Sequence, residues 1–352
     1  MDLGRGGDEE RRQRARAREE RTPRVREPER AEIARRERET PEAKLAEKPG
    51  YYGHPVIKPP VWTWQIPLYF FVGGLAGGSA VLSLAALATR EGRDLLLTTT
   101  WLATSGAFLG APLLISDLKR PQRFLNMLRV FKWRSPMSMG AWILTAFGIA
   151  SVTTALVYTL APWLIENGGL PGGLVLAVVW IGVVAAALLG VMLATYTGVL
   201  IGATAVPAWH RHHKLLPVHF GSAGLGSSAS ALLLFGFEEG GLVAVLVAAA
   251  LVETALWIST ELRSAGAADR AVHEGRSGWT LRTASVLTGP LTLALLVPGW
   301  TWPPALAFLV GALASRYGWL WAGRASARDP AATFAAGPRS PPSRHRRAAP
   351  RR

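Results

Sequence analysis

Residues 113–138 read LLISDLKRPQRFLNMLRVFKWRSPMS. A long apolar run stops at one carboxylate, Asp117, and gives way to Lys119, Arg120, Arg123, Arg129, Lys132 and Arg134 before apolar residues resume. Two other acid–base groups stand in apolar surroundings: Glu253 in VAAALVETALWIST and His219 in LLPVHFGS. Tyr69 in YFFVGGLAGGSA and Tyr196 in LATYTGVLIG add phenol donors, each followed by glycines at helical spacing, Gly73 and Gly77 after the first and Gly198 and Gly202 after the second. Donors and titratable groups of this kind can move protons to and from a polar molecule held in an apolar cleft. There is no cysteine, so thiolate metal sites, disulfides and iron–sulfur clusters within the chain are excluded.

The elements that position these residues follow from composition. The average of 49% hydrophobic residues and a net charge of +15 mixes two materials. Residues 1–50 interleave Arg and Glu with almost nothing aromatic or β-branched, and the tail GPRSPPSRHRRAAPRR is basic and Pro-rich. Neither can bury enough apolar surface to offset chain entropy, and both are expected to be disordered. Between them, apolar runs long enough to cross a bilayer cover 66–88, 95–116, 139–161, 174–207, 216–237, 241–262, 281–298 and 303–323. The fourth is long enough to protrude or kink, with Pro207 near its end. The Arg-rich amino-terminal residues lack the apolar core of a secretory signal, so the first run reads as a permanent span. Trp62, Trp64, Trp133, Trp163, Trp209, Trp279, Trp300 and Trp302 mark the ends of these runs, as an aromatic belt does.

Orientation follows from the division of Lys and Arg between loops. The arm, the 117–138 loop, Arg211, Lys214, Arg263, Arg270, Arg276, Arg282 and the tail collect on one side; the other has only Arg90 and Arg93, with none in ENGGLPGG, FEEGG or PGWTWP. Both termini are therefore expected in the cytoplasm, with the chain multi-pass in the inner, cytoplasmic membrane. The segment PQRFLNMLRVFKW places Phe124, Leu128 and Phe131 on one helical face, the pattern of an interfacial amphipathic helix.

Each polar residue has a plain reading beside the functional one. The loop cations serve as a positive-inside anchor without further role, and Asp117 either pairs with Lys119 or Arg120 or titrates. An unpaired Glu253 in mid-membrane costs several kcal/mol, so it is either protonated or partnered; with His219 it forms a candidate proton path, although a lone His is commonly a hydrogen-bonded structural residue. Gly73 and Gly77 suit close helix packing and equally a flat cleft beneath the Tyr69 phenol. A b-type haem needs two His on facing helices; of 7 His only His219 lies within an expected span. His210, His212 and His213 in WHRHHK read as a solvated turn, and no metal site is expected.

Three blocks, WTWQIPLYFFVGGLAGGSA, WLATSGAFLGAPLLISDLKRPQRFLNMLRVFKWRSPMSMGAWIL and YTGVLIGATAVPAW, resemble the NrfD/PsrC family, the membrane subunits of polysulfide-reductase-type complexes. The likeness covers roughly residues 62–262 well and the last two helices loosely; the charged arm has no counterpart in the family pattern. It implies an all-α integral membrane protein of eight transmembrane helices in two four-helix bundles, with disordered charged termini. The divisions would be an arm over 1–58, a first bundle with a quinone site over 59–210, a second over 211–324, and a tail over 325–352. It implies a bound quinone, usually menaquinone, with no haem or iron–sulfur cluster in this chain, a ferredoxin-like iron–sulfur subunit docked over one face, and a molybdopterin catalytic subunit beyond it. Membrane lipids, and no nucleic acid, complete the expected surroundings.

By position, the resemblance puts Tyr69 and Tyr196 against the quinone headgroup, and Asp117 close enough to exchange protons with it. Some relatives have His where Tyr69 stands. Gly73, Gly77, Arg120, Arg123 and Asn126 complete the expected quinone-binding set, the arginines stabilising negative charge on the ring and forming the docking surface. In the best-known relatives this face is the outer one, whereas the charge count here places it in the cytoplasm, which suits a dehydrogenase-like partner feeding electrons inward. The expected function is exchange of electrons and protons between the iron–sulfur partner and membrane menaquinone. Two other classes remain: a structural anchor without quinone chemistry, which the Tyr69 replacement permits, and a proton-translocating, transporter-like subunit, which Glu253 permits.

Overall fold

Hydrocarbon offers a backbone no hydrogen-bond partner, so apolar runs of this length satisfy themselves as helices. The computed structural model describes residues 56–89, 92–118, 121–262 and 266–336, and all regular elements among them are helical. Most of the charged arm, the tail from 337, and the pair Lys119 and Arg120 lie outside the described residues, so the disorder expected of the termini does too.

Helix α1 spans Gln65–Thr89 and α2 Arg93–Ser116. A single 3₁₀ turn, Pro121–Arg123, leads into the short α3, Phe124–Arg129. The long helices α4, Pro136–Glu166, and α5, Gly172–Gly202, precede a one-turn α6, Pro207–Arg211. Then come α7, Leu215–Leu234, α8, Gly240–Leu262, the short α9, Ala267–His273, and α10, Gly275–Val286. A π-helical turn, Leu287–Leu291, joins α10 to α11, Thr292–Leu296, and α12, Trp302–Arg328, and α13, Pro330–Ala336, close the chain.

Five of these are long and apolar enough to cross a membrane: α1, α4, α5, α8 and α12, with mean hydropathy from 1.2 to 2.8. Helices also cover the other three apolar runs, but α2 and α7 are rich in Thr and Ser, and the seventh run is divided by the π turn at Pro290. Several hydroxyls of α2 and α7 return to backbone carbonyls, as in Thr99 Oγ1 to Leu95 O at 2.9 Å and Ser227 Oγ to Ala223 O at 2.6 Å. Their polarity is thereby spent inside the protein.

Helix α1 is the common neighbour, packed on α2, α5, α7 and α12, while α4 lies on α2 and α5, and α7 on α8 and α12. Glycine makes two of these approaches possible. A Cβ on Gly77 would overlap the carbonyl of Gly190 on α5, and one on Gly224 of α7 would press into the backbone of Gly74.

The structure redraws several boundaries. The fourth run is not one kinked helix: α5 stops at Gly202 and Pro207 begins the separate α6, where its missing N–H costs nothing. The amphipathic helix is shorter than the pattern suggested, because α3 ends at Arg129 and Phe131 lies beyond it, 55% exposed, edge-on to Trp142. Helix α12 runs past residue 325, and α13 packs against α6 and α9 with Ala332 fully buried, so the first part of the expected tail is ordered helix. Trp209 does not belong to a lipid-facing belt: it is 0% exposed, and its Nε1 donates to Trp319 O at 2.7 Å.

Candidate functional site

The end of α2 and the start of α1 are tied by one carboxylate. Asp117 Oδ1 accepts from the backbone N–H of Thr63 at 2.9 Å and from the Thr63 hydroxyl. The residues between Thr63 and α1 are held a second time, by Tyr317 of α12 donating its hydroxyl to Trp64 O at 3.0 Å. Trp62 then stacks on Trp209 at 5.5 Å and meets Phe70 edge-on at 6.2 Å.

This lacing frames a cavity of about 570 Å³, including its open side. Tyr69 and Phe70 of α1, Asp117, Phe124 and Met127, Gly140 of α4 and Tyr196 of α5 are in its wall, with Trp62 as a flat aromatic face. Tyr69 is 2% exposed and Tyr196 8%, the first ring beside Gly110 and the second against Gly140. A Cβ on Gly140 would overlap the Tyr196 ring, so glycine there is what lets the phenol lie along α4. Neither hydroxyl has a protein hydrogen-bond partner among the described residues. Two free phenol donors, a carboxylate at the opening and apolar walls suit a flat ring carrying carbonyl oxygens.

Not every expected residue reaches this cavity. Gly77 serves the α1–α5 contact, and Gly73 sits between Leu193 and the Tyr69 ring rather than in the wall. Asn126 is on α3 but exposed, and Phe124 and Met127 take the positions facing the cavity. Arg120 lies outside the described residues; Arg123 closes the 3₁₀ turn before α3. Thr63, whose side chain bonds Asp117, was not anticipated, since a Thr in a short polar link carries no periodic signal.

Glu253 and His219 meet elsewhere. His219 Nδ1 lies 2.6 Å from Glu253 Oε2, and Ser222 Oγ donates to the other carboxylate oxygen. Glu253 is 3% exposed. Both line a second cavity of about 550 Å³ between α7, α8, α9, α10 and α12, which shares no residue with the first.

Between the two cavities stands Arg316 of α12, 1% exposed. Its guanidinium lies 3.8 Å over the Phe220 ring, and Nη2 donates to Phe220 O at 3.1 Å. Phe220 continues to Phe70 at 6.0 Å on one side and His219 at 5.5 Å on the other. Arg316 Nε and Nη1 are buried without a protein partner among the described residues. An arginine within the eighth apolar run was legible as an intramembrane charge, but the run's average hid it.

The WHRHHK turn is only partly solvated. His210 and His213 stack at 5.5 Å, whereas His212 is 5% exposed with Nε2 3.2 Å from Asp269 Oδ1. Burial pushes the His212 imidazole below its ordinary value, against the opposing pull of Asp269. Among the described residues no three His, Asp or Glu side chains converge as metal ligands would.

Residues 55–264, which contain Tyr69, Asp117, Tyr196 and Glu253, match the family model described as "Polysulphide reductase, NrfD". The chain belongs to the NrfD family. It is 30% identical over 190 residues to "Protein NrfD" of Escherichia coli, covering 49% of this chain and 59% of that protein. To the C subunit of polysulfide reductase from Wolinella succinogenes it is 31% identical over 96 residues, 25% of this chain and 29% of that one. The matches thus span less than two thirds of these relatives. Family membership and five membrane-length apolar helices make this NrfD-family chain a multi-pass membrane protein. Arg316, His273 and Arg282 lie outside the matched residues.

Proposed function

We propose that the chain is the quinone-reactive membrane subunit of a multi-subunit oxidoreductase. The observation that carries this reading is the convergence of Tyr69, Tyr196 and Asp117 on one apolar cavity roofed by Trp62. A quinone, menaquinone in this proposal, supplies a two-electron, two-proton carrier when bound. Tyr69 and Tyr196 would hold its carbonyl oxygens through their phenol hydroxyls. Asp117, held by Thr63 at the opening, exchanges protons between the cavity and water. Phe124, Met127 and Trp62 exclude water from the ring.

The surrounding assignment follows the family. Eight spans form a first four-helix bundle over 59–210 and a second over 211–324, with both termini cytoplasmic in the inner membrane. The loop carrying Arg120, Arg123 and Asn126 forms the surface on which a ferredoxin-like iron–sulfur subunit docks, and a molybdopterin subunit completes the electron path. The protein matched in Wolinella succinogenes is named as one lettered subunit of a reductase, which supports membership in a complex. Glu253 and His219 serve a proton route in the second bundle.

Extraction and mass spectrometry of quinone co-purifying with the detergent-solubilised protein tests this reading. Stoichiometric menaquinone in wild type that falls in Tyr69→Phe and Asp117→Asn supports it. Absence of quinone from wild type, with no binding of added menaquinone analogues, overturns it and leaves a structural anchor or a transporter-like subunit.

A further inference from the structure

The second cavity has polar groups at both ends. Its floor is the His219–Glu253 pair; its mouth is Glu261, whose Oε1 accepts from Arg282 Nε at 3.1 Å and Trp257 Nε1 at 3.3 Å, with His273 Nδ1 3.3 Å from Oε2. These groups join α8, α9 and α10 across the opening, where Glu261 is 32% and Arg282 46% exposed. Glu253, Trp257, Thr260 and Glu261 all line the cavity from α8 at positions i, i+4, i+7 and i+8, so one helical stripe runs from floor to mouth. Eight residues of helix span about 12 Å.

Two nitrogens on this lining are buried without a protein partner: His219 Nε2 at the floor and His273 Nε2 near the mouth. Buried N–H and lone-pair sites are rarely left unmet, and a cavity lined also by Thr260, Ser285 and Ser315 offers water a place to meet them. We infer that this cavity is an aqueous inlet through which protons reach the His219–Glu253 pair from the Glu261–His273–Arg282 mouth, without passing through the Tyr69 cavity. The inference builds on the proposed proton role of Glu253 and His219 and needs no quinone.

The proton balance is simple. With His219 neutral and Glu253 ionised the pair carries one negative charge; a proton taken from water neutralises it, and its return restores the charge. Groups around Glu253 set this exchange: His219 and Ser222 from α7 at the floor, Glu261, His273 and Arg282 at the mouth, and Arg316 of α12, on Phe220, outside the lining. Arg316 lies on the Phe220 ring, next along α7 from His219, and is not part of the cavity lining.

Because the chain contains no cysteine, a single introduced thiol is unambiguous. Ser315→Cys, at a 3% exposed position deep in the lining, and Ser285→Cys, also in the lining, are treated in the full-length purified protein with a water-soluble, positively charged methanethiosulfonate. Ser79→Cys, fully buried and outside both cavities, is the control. Both lining positions are expected to gain the adduct mass while the control does not, and Thr260→Phe is expected to reduce the deep adduct to background. In parallel, a water-soluble carbodiimide is expected to label Glu253 in wild type and nothing at this position in Glu253→Gln. Failure of the charged reagent at Ser315→Cys, whether or not an uncharged maleimide reacts there, overturns the inlet, as does labelling of Glu253 by a lipid-soluble carbodiimide alone. Quinone is quantified in the same preparations, so an open inlet without quinone, or quinone with a closed inlet, separates the two proposals.

Discussion

Asp117 and Thr63, 54 positions apart in sequence, are joined twice through one carboxylate oxygen, by the Thr63 backbone N–H at 2.9 Å and by its hydroxyl. The consequence is that the short link before α1 cannot move without the end of α2, and both border the Tyr69 cavity. Thr63→Ala removes the hydroxyl bond and keeps the backbone one. Loss of about 1 kcal/mol for such a bond weakens binding about fivefold. Titration of a menaquinone analogue into the purified variant reads this directly; unchanged affinity would show that the tie does not shape the cavity.

Gly140 lies where a Cβ would collide with the Tyr196 ring. Gly140→Ala is expected to displace that ring and empty the cavity of quinone, at a stability cost of about 1–3 kcal/mol for overpacking. Tyr196→Phe keeps the ring and loses only the hydroxyl, so it should retain the melting temperature while weakening quinone. Equal effects of the two variants on stability would sink the argument.

Arg316 has its guanidinium on Phe220 with Nε and Nη1 unpartnered by protein. Arg316→Met is expected to destabilise, and Glu253→Gln to relieve part of that loss, with a coupling of about 0.5–3 kcal/mol in a double-mutant cycle. Thermal unfolding of the four proteins measures it; strict additivity would mean the two charges do not interact.

His212 is outside the membrane-length helices and its imidazole is pushed below the ordinary value by burial. The unfolded turn therefore binds a proton more readily than the folded one, and stability falls as pH drops below about 6.5, until the lowered folded value is reached. The slope is at most about 1.4 kcal/mol per pH unit. Hydrogen exchange of α6 and α9 at pH 7 and pH 5.5 should show faster opening at the lower pH, and His212→Asn should flatten the difference.

The proposed orientation places exposed Asn126 in the cytoplasm. Asn126→Cys is expected to react with an impermeant maleimide in inverted vesicles and not in right-side-out ones. The reverse pattern would put the docking loop on the outer side.

What could be read without coordinates was the material of the helices and the cost of particular charges. Glu253 stands out because hydrocarbon penalises a carboxylate, and His219 of the preceding apolar run is the titratable group able to partner it. Tyr69, Asp117 and Tyr196 were grouped by a family likeness rather than by spacing, and the fold brings them to one cavity. Other relations left no local trace. Trp209 sat at a helix boundary like any interfacial tryptophan, and only the approach of α12 buries it. Gly77 and Gly190 are two glycines among 37, and which of them touch depends on the crossing of α1 and α5. Thr63 and Arg316 act through residues far away in sequence, so their roles arise only when the chain is folded.

The wall of Phe70, Phe220 and Arg316 has a last consequence. Aromatic rings pass no protons, yet a guanidinium lodged among them projects its field to both sides in a medium of low polarisability. Two chambers that share no lining residue are thus linked by one fixed charge, which alters the work of charging a group in either.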